Sequence, residues 1–247
     1  MVLGLCEKGF VIESLPLFAF GQYKALVVGS SGAIGTAFAQ AFFADSRCTH
    51  VELVSRDSQS GFDLTKHESI SAQATLSSAY GPYQIIVDAT GAIVINGVGP
   101  EKALNSLHPD HLTQAFLINS IGPALVLRHF SPLLAKGGSV YAKLSARVGS
   151  ITDNKKGGWY GYRSSKAALN MILQTAAIEL QRKNPDLRVV ALQPGTVKSK
   201  LSQPFASSSI NPLEPQESVT GMLHALQTLQ PKSGAYFLDH KGIEIPW

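Results

Sequence analysis

A chain of 247 residues, 45% hydrophobic and 15% charged, has room for one α/β domain with a sizeable core and is too apolar for a disordered segment. Its 21 basic and 17 acidic residues leave a net charge of +4, and the densest basic runs, Lys155-Lys156 and Arg182-Lys183, are too short for a nucleic-acid footprint, though they suit mild affinity for an anionic cofactor. Two cysteines (Cys6 and Cys48) make no disulfide framework, the histidines show no ligand spacing, and no apolar run reaches the roughly 20 residues a bilayer requires. No metal and no membrane partner are therefore expected, and a cytoplasmic location is the default.

Residues 1–23 are the least readable. Their apolar positions are interrupted by Glu7, Glu13 and Pro16, without the basic start or small-residue cleavage site of a signal peptide. They form an extension that is either an extra strand, a covering arm or an overlong translation start. The domain proper is placed at 24–247.

Lys24–Val28 reads as a short strand that runs into Gly29-Ser30-Ser31-Gly32-Ala33-Ile34-Gly35, and a helical pattern follows through Ala37, Phe38, Ala41 and Phe42. In a strand–turn–helix context, Gly29 permits the tight turn, Gly32 lets backbone approach a pyrophosphate and Gly35 lets the helix pack on the strand. The helix amino end then offers free N–H groups to phosphates. Val51–Val54 reads as the second strand, ending in Ser55-Arg56-Asp57. A free ribose asks for an acid at this strand end and a 2′-phosphate asks for a cation. Ser55 stands in the acid's place and Arg56 follows, which favours NADP(H) over NAD(H), unless Arg56 is merely exposed; Asp57 complicates the choice.

Ile85–Asp88 is a strand followed by Ala89-Thr90-Gly91, and residues 96–110 read as a surface loop. From His111 to Ala135 the apolar spacing is helical, and Pro123 predicts a kink because it crowds the carbonyl of Asn119. Gly138–Leu144 is the next strand, with Ser145 at its carboxyl end. A helix from Tyr162 to about Lys183 is stopped by Asn184-Pro185. Its first turn carries Tyr162 and Lys166 four residues apart, which places both side chains on one face, a spacing that on its own is common and usually decorates a solvated helix face. An ammonium beside a phenol favours phenolate and lowers a pKa that starts near ~10, so such a tyrosine can exchange a proton with an alkoxide. Tyr160 has only Ser164 at that offset. Leu187–Leu192 is a strand leading to Pro194-Gly195-Thr196-Val197-Lys198-Ser199. Residues 200–215 read as a mobile loop, and a helix at Gln216–Leu229 and a strand at Ala235–Leu238 close the chain.

Taken together, the Tyr160-Gly161-Tyr162-Arg163-Ser164-Ser165-Lys166 stretch and the glycine turn resemble the short-chain dehydrogenase/reductase family. The runs Ser145–Ser150 and Gly157–Tyr160 are similar to its C-factor-like branch. The resemblance implies a Rossmann-type doubly wound α/β sheet, mostly or wholly parallel, of about seven strands with helices on both faces. It implies an NAD(P)-dependent oxidoreductase acting on a small carbonyl or alcohol substrate, assembled as a homodimer or homotetramer. It makes Ser145 the hydroxyl that holds the substrate oxygen, Tyr162 the general acid/base and Lys166 its partner and a ribose ligand. Asn119 becomes the support of a bridging water, unless it is a structural plug for the kink.

For the cofactor, the resemblance adds Asp63 and Leu64 (from Asp63-Leu64-Thr65, or else a helix N-cap), Ala89, Thr90 and Gly91, and Pro194, Gly195, Val197 and Ser199. These join Gly29, Ser30, Ser31, Gly32, Ile34, Gly35, Ser55 and Arg56. Trp159 and Tyr160 either line the substrate mouth or pack the loop. Two departures from the family pattern are visible: the glycines run G-x-x-G-x-x-G, and Asp88-Ala89-Thr90-Gly91 replaces Asn-Asn-Ala-Gly. They keep open a second class, a nucleotide-binding signalling or scaffold protein with little catalysis.

Overall fold

The computed structural model describes residues 21–58, 61–199 and 211–247. Most of the expected extension, with Cys6, and most of the expected 200–215 loop lie outside the described residues. Tyr23 belongs to the domain rather than to the extension: it is buried, opens the first strand and donates its hydroxyl to Asp45 at 3.0 Å.

The elements alternate strand and helix: β1 (Tyr23–Val28), α1 (Ala33–Ala44), β2 (Cys48–Val54), α2 (His67–Ser78), β3 (Ile85–Asp88), α3 (Pro109–Phe116), α4 (Gly122–Phe130), β4 (Val140–Leu144), α5 (Tyr160–Gln181), β5 (Arg188–Gln193), α6 (Pro215–Thr228) and β6 (Tyr236–Asp239). The strands form one wholly parallel sheet in the order β2-β1-β3-β4-β5-β6. Alternate residues of each strand point to opposite faces, and both faces are apolar because helices cover both. On one face Leu26, Ile86, Tyr141 and Val189 meet Ile70, Phe130, Leu169 and Leu173. On the other, Val27, Val87, Ala142 and Val190 meet Phe38, Phe42, Met222 and Leu226.

Six strands are present among the described residues, one fewer than the seven expected. The reach between β2 and α2 is held in turns by its own side chains. Asp63 N–H donates to Ser69 Oγ, and Thr65 N–H and Oγ1 donate to Asp63 Oδ1 at 2.9 and 2.7 Å. Those backbone groups are not free to pair with β2 as an edge strand. The same turn corrects the reading of Asp63 or Thr65 as a helix cap, since the N-cap position of α2 is Lys66, without a side-chain bond.

The proline-containing helix expected over 111–135 is broken where its sequence demands. α3 passes into a π-helical turn at Leu117–Ile121, and Gly122-Pro123 then open α4. A π-turn is one of the defined sources of a helix kink, and it carries Asn119.

Candidate active site

Everything of chemical interest gathers at the carboxyl edge of the sheet, beyond Val28, Asp88, Leu144 and Gln193, around the point between β1 and β3 where the strand order reverses. At the end of β1, Gly29 has φ +81°, and a Cβ on Gly35 would stand 2.2 Å from the Gly29 carbonyl oxygen. Only glycines allow the turn and the helix to close together here. Gly32 is the N-cap of α1, with no side-chain cap and no acidic residue in the first turn. The first N–H groups of a twelve-residue helix are thus left facing the crevice, next to Ser30 and Ser31, which suits a pyrophosphate.

Ser55 follows β2 and its N–H donates to Ser58 Oγ at 2.8 Å. Arg56 is exposed beside it and makes no ion pair with Asp57 or any other acid among the described residues.

Around the end of β3 the fit is tighter. Gly91 has φ +137°, and a Cβ there would lie 3.1 Å from Asn119 Oδ1 and 3.3 Å from Lys166 Nζ. Asn119 bonds both backbone groups of Ala92, accepting from its N–H and donating to its carbonyl, each at 2.9 Å. Its side chain therefore reaches across to the β3 loop and does not plug its own helix.

Tyr162 and Lys166 rise from the first turns of α5, whose amino end is fixed by Trp159 at φ +55°. The Trp159 ring meets the Tyr162 ring edge-on at 6.2 Å, while Tyr160 stays partly exposed. Lys166 Nζ lies 5.8 Å from the centre of the Tyr162 ring and donates to the Leu144 carbonyl at 3.2 Å. Burial, and then the nearby Lys143 ammonium, push Lys166 down to about 7, against the pull of Asp88. Burial pushes the Tyr162 phenol up, opposite to the direction expected from its lysine. Ser145 Oγ lies 2.6 Å from Asn170 Oδ1, with both residues buried.

On the far side of the crevice, the Ser218 hydroxyl donates to the Pro194 carbonyl at 2.6 Å. Gly195 N–H donates to Gln193 Oε1 at 3.0 Å, and Val197 pairs with Leu213 in a short parallel bridge; Ser199 lies just beyond.

Three features escaped the sequence. A fully buried ion pair joins Lys143 Nζ to Asp88 Oδ1 at 3.0 Å, and Lys143 also donates to the Thr90 carbonyl at 2.6 Å. Asn170 touches Ser145. Glu101, in the stretch expected to be a surface loop, is 6% exposed and reaches the start of α5. Asn170 alone had a signal, standing one turn beyond Lys166 on the same helix. Among the described residues no cluster of potential metal ligands occurs, and no helix is long and apolar enough to cross a membrane.

A doubly wound parallel sheet with a glycine turn opening its first helix, and a tyrosine–lysine pair at the sheet's carboxyl edge, define a nicotinamide-dinucleotide oxidoreductase. The chain belongs to the short-chain dehydrogenase family, whose profile matches residues 23–209. It is 32% identical over 168 residues to C-signal of Myxococcus xanthus, covering 68% of this chain and 94% of that one. It is 30% identical over 188 residues to 1-hydroxy-2-glutathionyl-2-methyl-3-butene dehydrogenase of Rhodococcus sp. (strain AD45), covering 76% and 79%. The fold is also that of the NADPH-bound carbonyl reductase from chicken fatty liver, with a TM-score of 0.79 at 22% identity over 94% of this chain and 97% of that one. The protein is thus a short-chain dehydrogenase/reductase enzyme that uses a nicotinamide cofactor on a small-molecule substrate.

Proposed function

We propose that residues 23–247 form a single-domain NADP(H)-dependent carbonyl reductase or alcohol dehydrogenase. The observation that carries the reading is the juxtaposition of Tyr162 and Lys166 with Gly91 and Asn119 at the sheet edge. The cofactor, when bound, supplies or takes the hydride. The α1 amino end and the Gly29–Gly35 turn hold its pyrophosphate, Arg56 meets a 2′-phosphate, and Lys166 grips the ribose hydroxyls. Ser145 orients the substrate oxygen, Tyr162 delivers a proton to it, and Asn119 supports a water behind Lys166. A homodimer or homotetramer would cover Met171 and Ile178, apolar side chains that α5 leaves exposed two turns apart on one face.

The identity to C-signal favours a second reading, a dinucleotide-binding signalling or scaffold protein. Titration with NADPH and NADH, followed by an aldehyde and ketone screen for NADPH loss, separates the two. Tight NADPH binding with turnover supports the enzyme; binding without turnover of any carbonyl compound supports the second reading.

A further inference from the structure

Beside Tyr162 stands a histidine that the reaction scheme does not use. The Glu101 carboxylate is fixed at the amino end of α5. Its Oε2 accepts from Gly161 N–H at 2.9 Å, and its backbone carbonyl accepts from Trp159 N–H at 2.5 Å. Its Oε1 meets His111 Nδ1 at 2.9 Å. A Cβ on Gly161 would stand 2.9 Å from that same Oε1, so the carboxylate is seated against the helix backbone. Burial raises the Glu101 carboxyl, but the bonds from Gly161 and His111 more than offset it and the net direction is down. An ionised acceptor on Nδ1 requires that Nδ1 carry a proton.

His111 Nε2 is then the free end, buried and without a hydrogen-bond partner. His111 lines a narrow space shared with Tyr162, Asn119, Ile93, Ile95, Pro100 and Ala115. Apart from Tyr162 and Asn119 these walls are apolar, and they offer Nε2 nothing. A polar nitrogen kept out of water with no partner is costly, so a tethered imidazole beside Tyr162 suits a bond made only when substrate enters.

We propose that His111 is a specificity-determining residue that hydrogen-bonds, through Nε2, a hydroxyl one or two carbons from the reacting carbonyl, and hence that the substrates are α- or β-hydroxy carbonyl compounds. A hydroxyl suits both states of the ring: it donates to the lone pair of neutral Nε2 and accepts from Nε2–H of the imidazolium. A carbonyl or ether oxygen suits only the second. Because His111 and Tyr162 line the same narrow space, a hydroxyl held by Nε2 would lie near the carbon that Tyr162 serves.

The inference rests on Tyr162-dependent carbonyl reduction, and the test separates the two. The intact protein with NADPH is assayed on acetoin and 4-hydroxy-2-butanone, each against butanone. Discrimination of at least about tenfold in kcat/KM toward the hydroxy ketones is expected, and His111→Phe should collapse it. Turnover of all three ketones without discrimination, or discrimination that survives His111→Phe, overturns the role of His111 and leaves the reductase reading standing. No turnover of any ketone sinks both. Should His111→Phe not fold, histidine ¹⁵N resonances of the unmodified protein with NADP⁺ give a second readout. His111 Nε2 should shift on adding acetoin and not on adding butanone, and equal responses overturn the proposal.

Discussion

The Ser145 hydroxyl and the Asn170 side-chain carbonyl lie 2.6 Å apart, joining the end of β4 to the helix that carries Tyr162 and Lys166. Asn170 Nδ2 has no partner. A half-used buried amide holds the serine rotamer but also occupies the proton the serine would lend to a substrate oxygen. Turning the amide over would place Nδ2 on Ser145 Oγ and free that proton. Asn170→Ala is therefore expected to lower kcat by about tenfold while the dissociation constant of NADPH, read by fluorescence titration, stays put. Ser145→Ala should cost more, within the ~10²–10⁴-fold range of a positioned catalytic hydroxyl.

Tyr162→Phe removes one oxygen and keeps the ring that packs edge-on against Trp159 at 6.2 Å. NADPH binding should survive, and turnover should fall by about 10²–10⁴-fold. Single-turnover rates on any ketone reduced by the unmodified enzyme check this. Undiminished rates would show that another group delivers the proton.

Lys166 gives stability a pH dependence whose sign is fixed. Its folded pKa is pushed down to about 7 from an ordinary value near 10.5. Below about 7 both states are protonated, and the fold bears the whole cost of a buried ammonium. Between there and the unfolded value the unfolded chain binds more protons, so this group's contribution rises with pH. Tyr162 acts in the opposite sense: its folded pKa is raised, so stability is lost once the unfolded phenol ionises above about 10. Lys166→Met should therefore abolish turnover yet raise the melting temperature at pH 7 by several degrees, since about 1 kcal/mol is worth about 2–4 °C in a chain of this size. The gain should shrink toward pH 10 in calorimetric scans.

Arg56 lies exposed at the end of β2 without an acidic partner among the described residues. Arg56→Ala should weaken NADPH by about tenfold or more, the worth of one charge-assisted bond, and leave NADH nearly unchanged. Paired titrations give the ratio, and an equal loss for both cofactors would remove Arg56 from phosphate recognition.

What the sequence disclosed was local. Gly29, Gly35 and the Tyr162–Lys166 spacing are legible because each has a local physical use and because they occur together in strand–turn–helix order. Pro123 forecast a kink, although that it takes the form of a π-turn depends on the packing of the helix against its surroundings. The long-range partners stayed hidden. Glu101 sits in a stretch rich in glycine and proline, and only the folded chain brings it to Gly161, 60 positions away. Lys143 lies in an apolar strand, where a charge looks like an error until Asp88 appears on the neighbouring strand in register with it. The acid at position 88 answers the lysine at 143.

That pair provides the last expectation. Lys143 Nζ donates to Asp88 Oδ1 at 3.0 Å, and to the Thr90 carbonyl at 2.6 Å and Thr90 Oγ1 at 3.1 Å, while the Thr90 hydroxyl donates to the same carboxylate oxygen at 2.6 Å. The network ties down the loop that ends in Gly91, against Lys166 and Asn119. Removing one partner strands a charge at a fully buried position, so Lys143→Met should cost about 3–5 kcal/mol. Asp88→Asn should also destabilise the fold, by leaving the ammonium without its anion. The double variant should be less damaged than the sum of the singles, because it strands no charge. Urea denaturation of the four proteins measures the coupling, and strict additivity would show that the two charges are held independently by Thr90 rather than by each other.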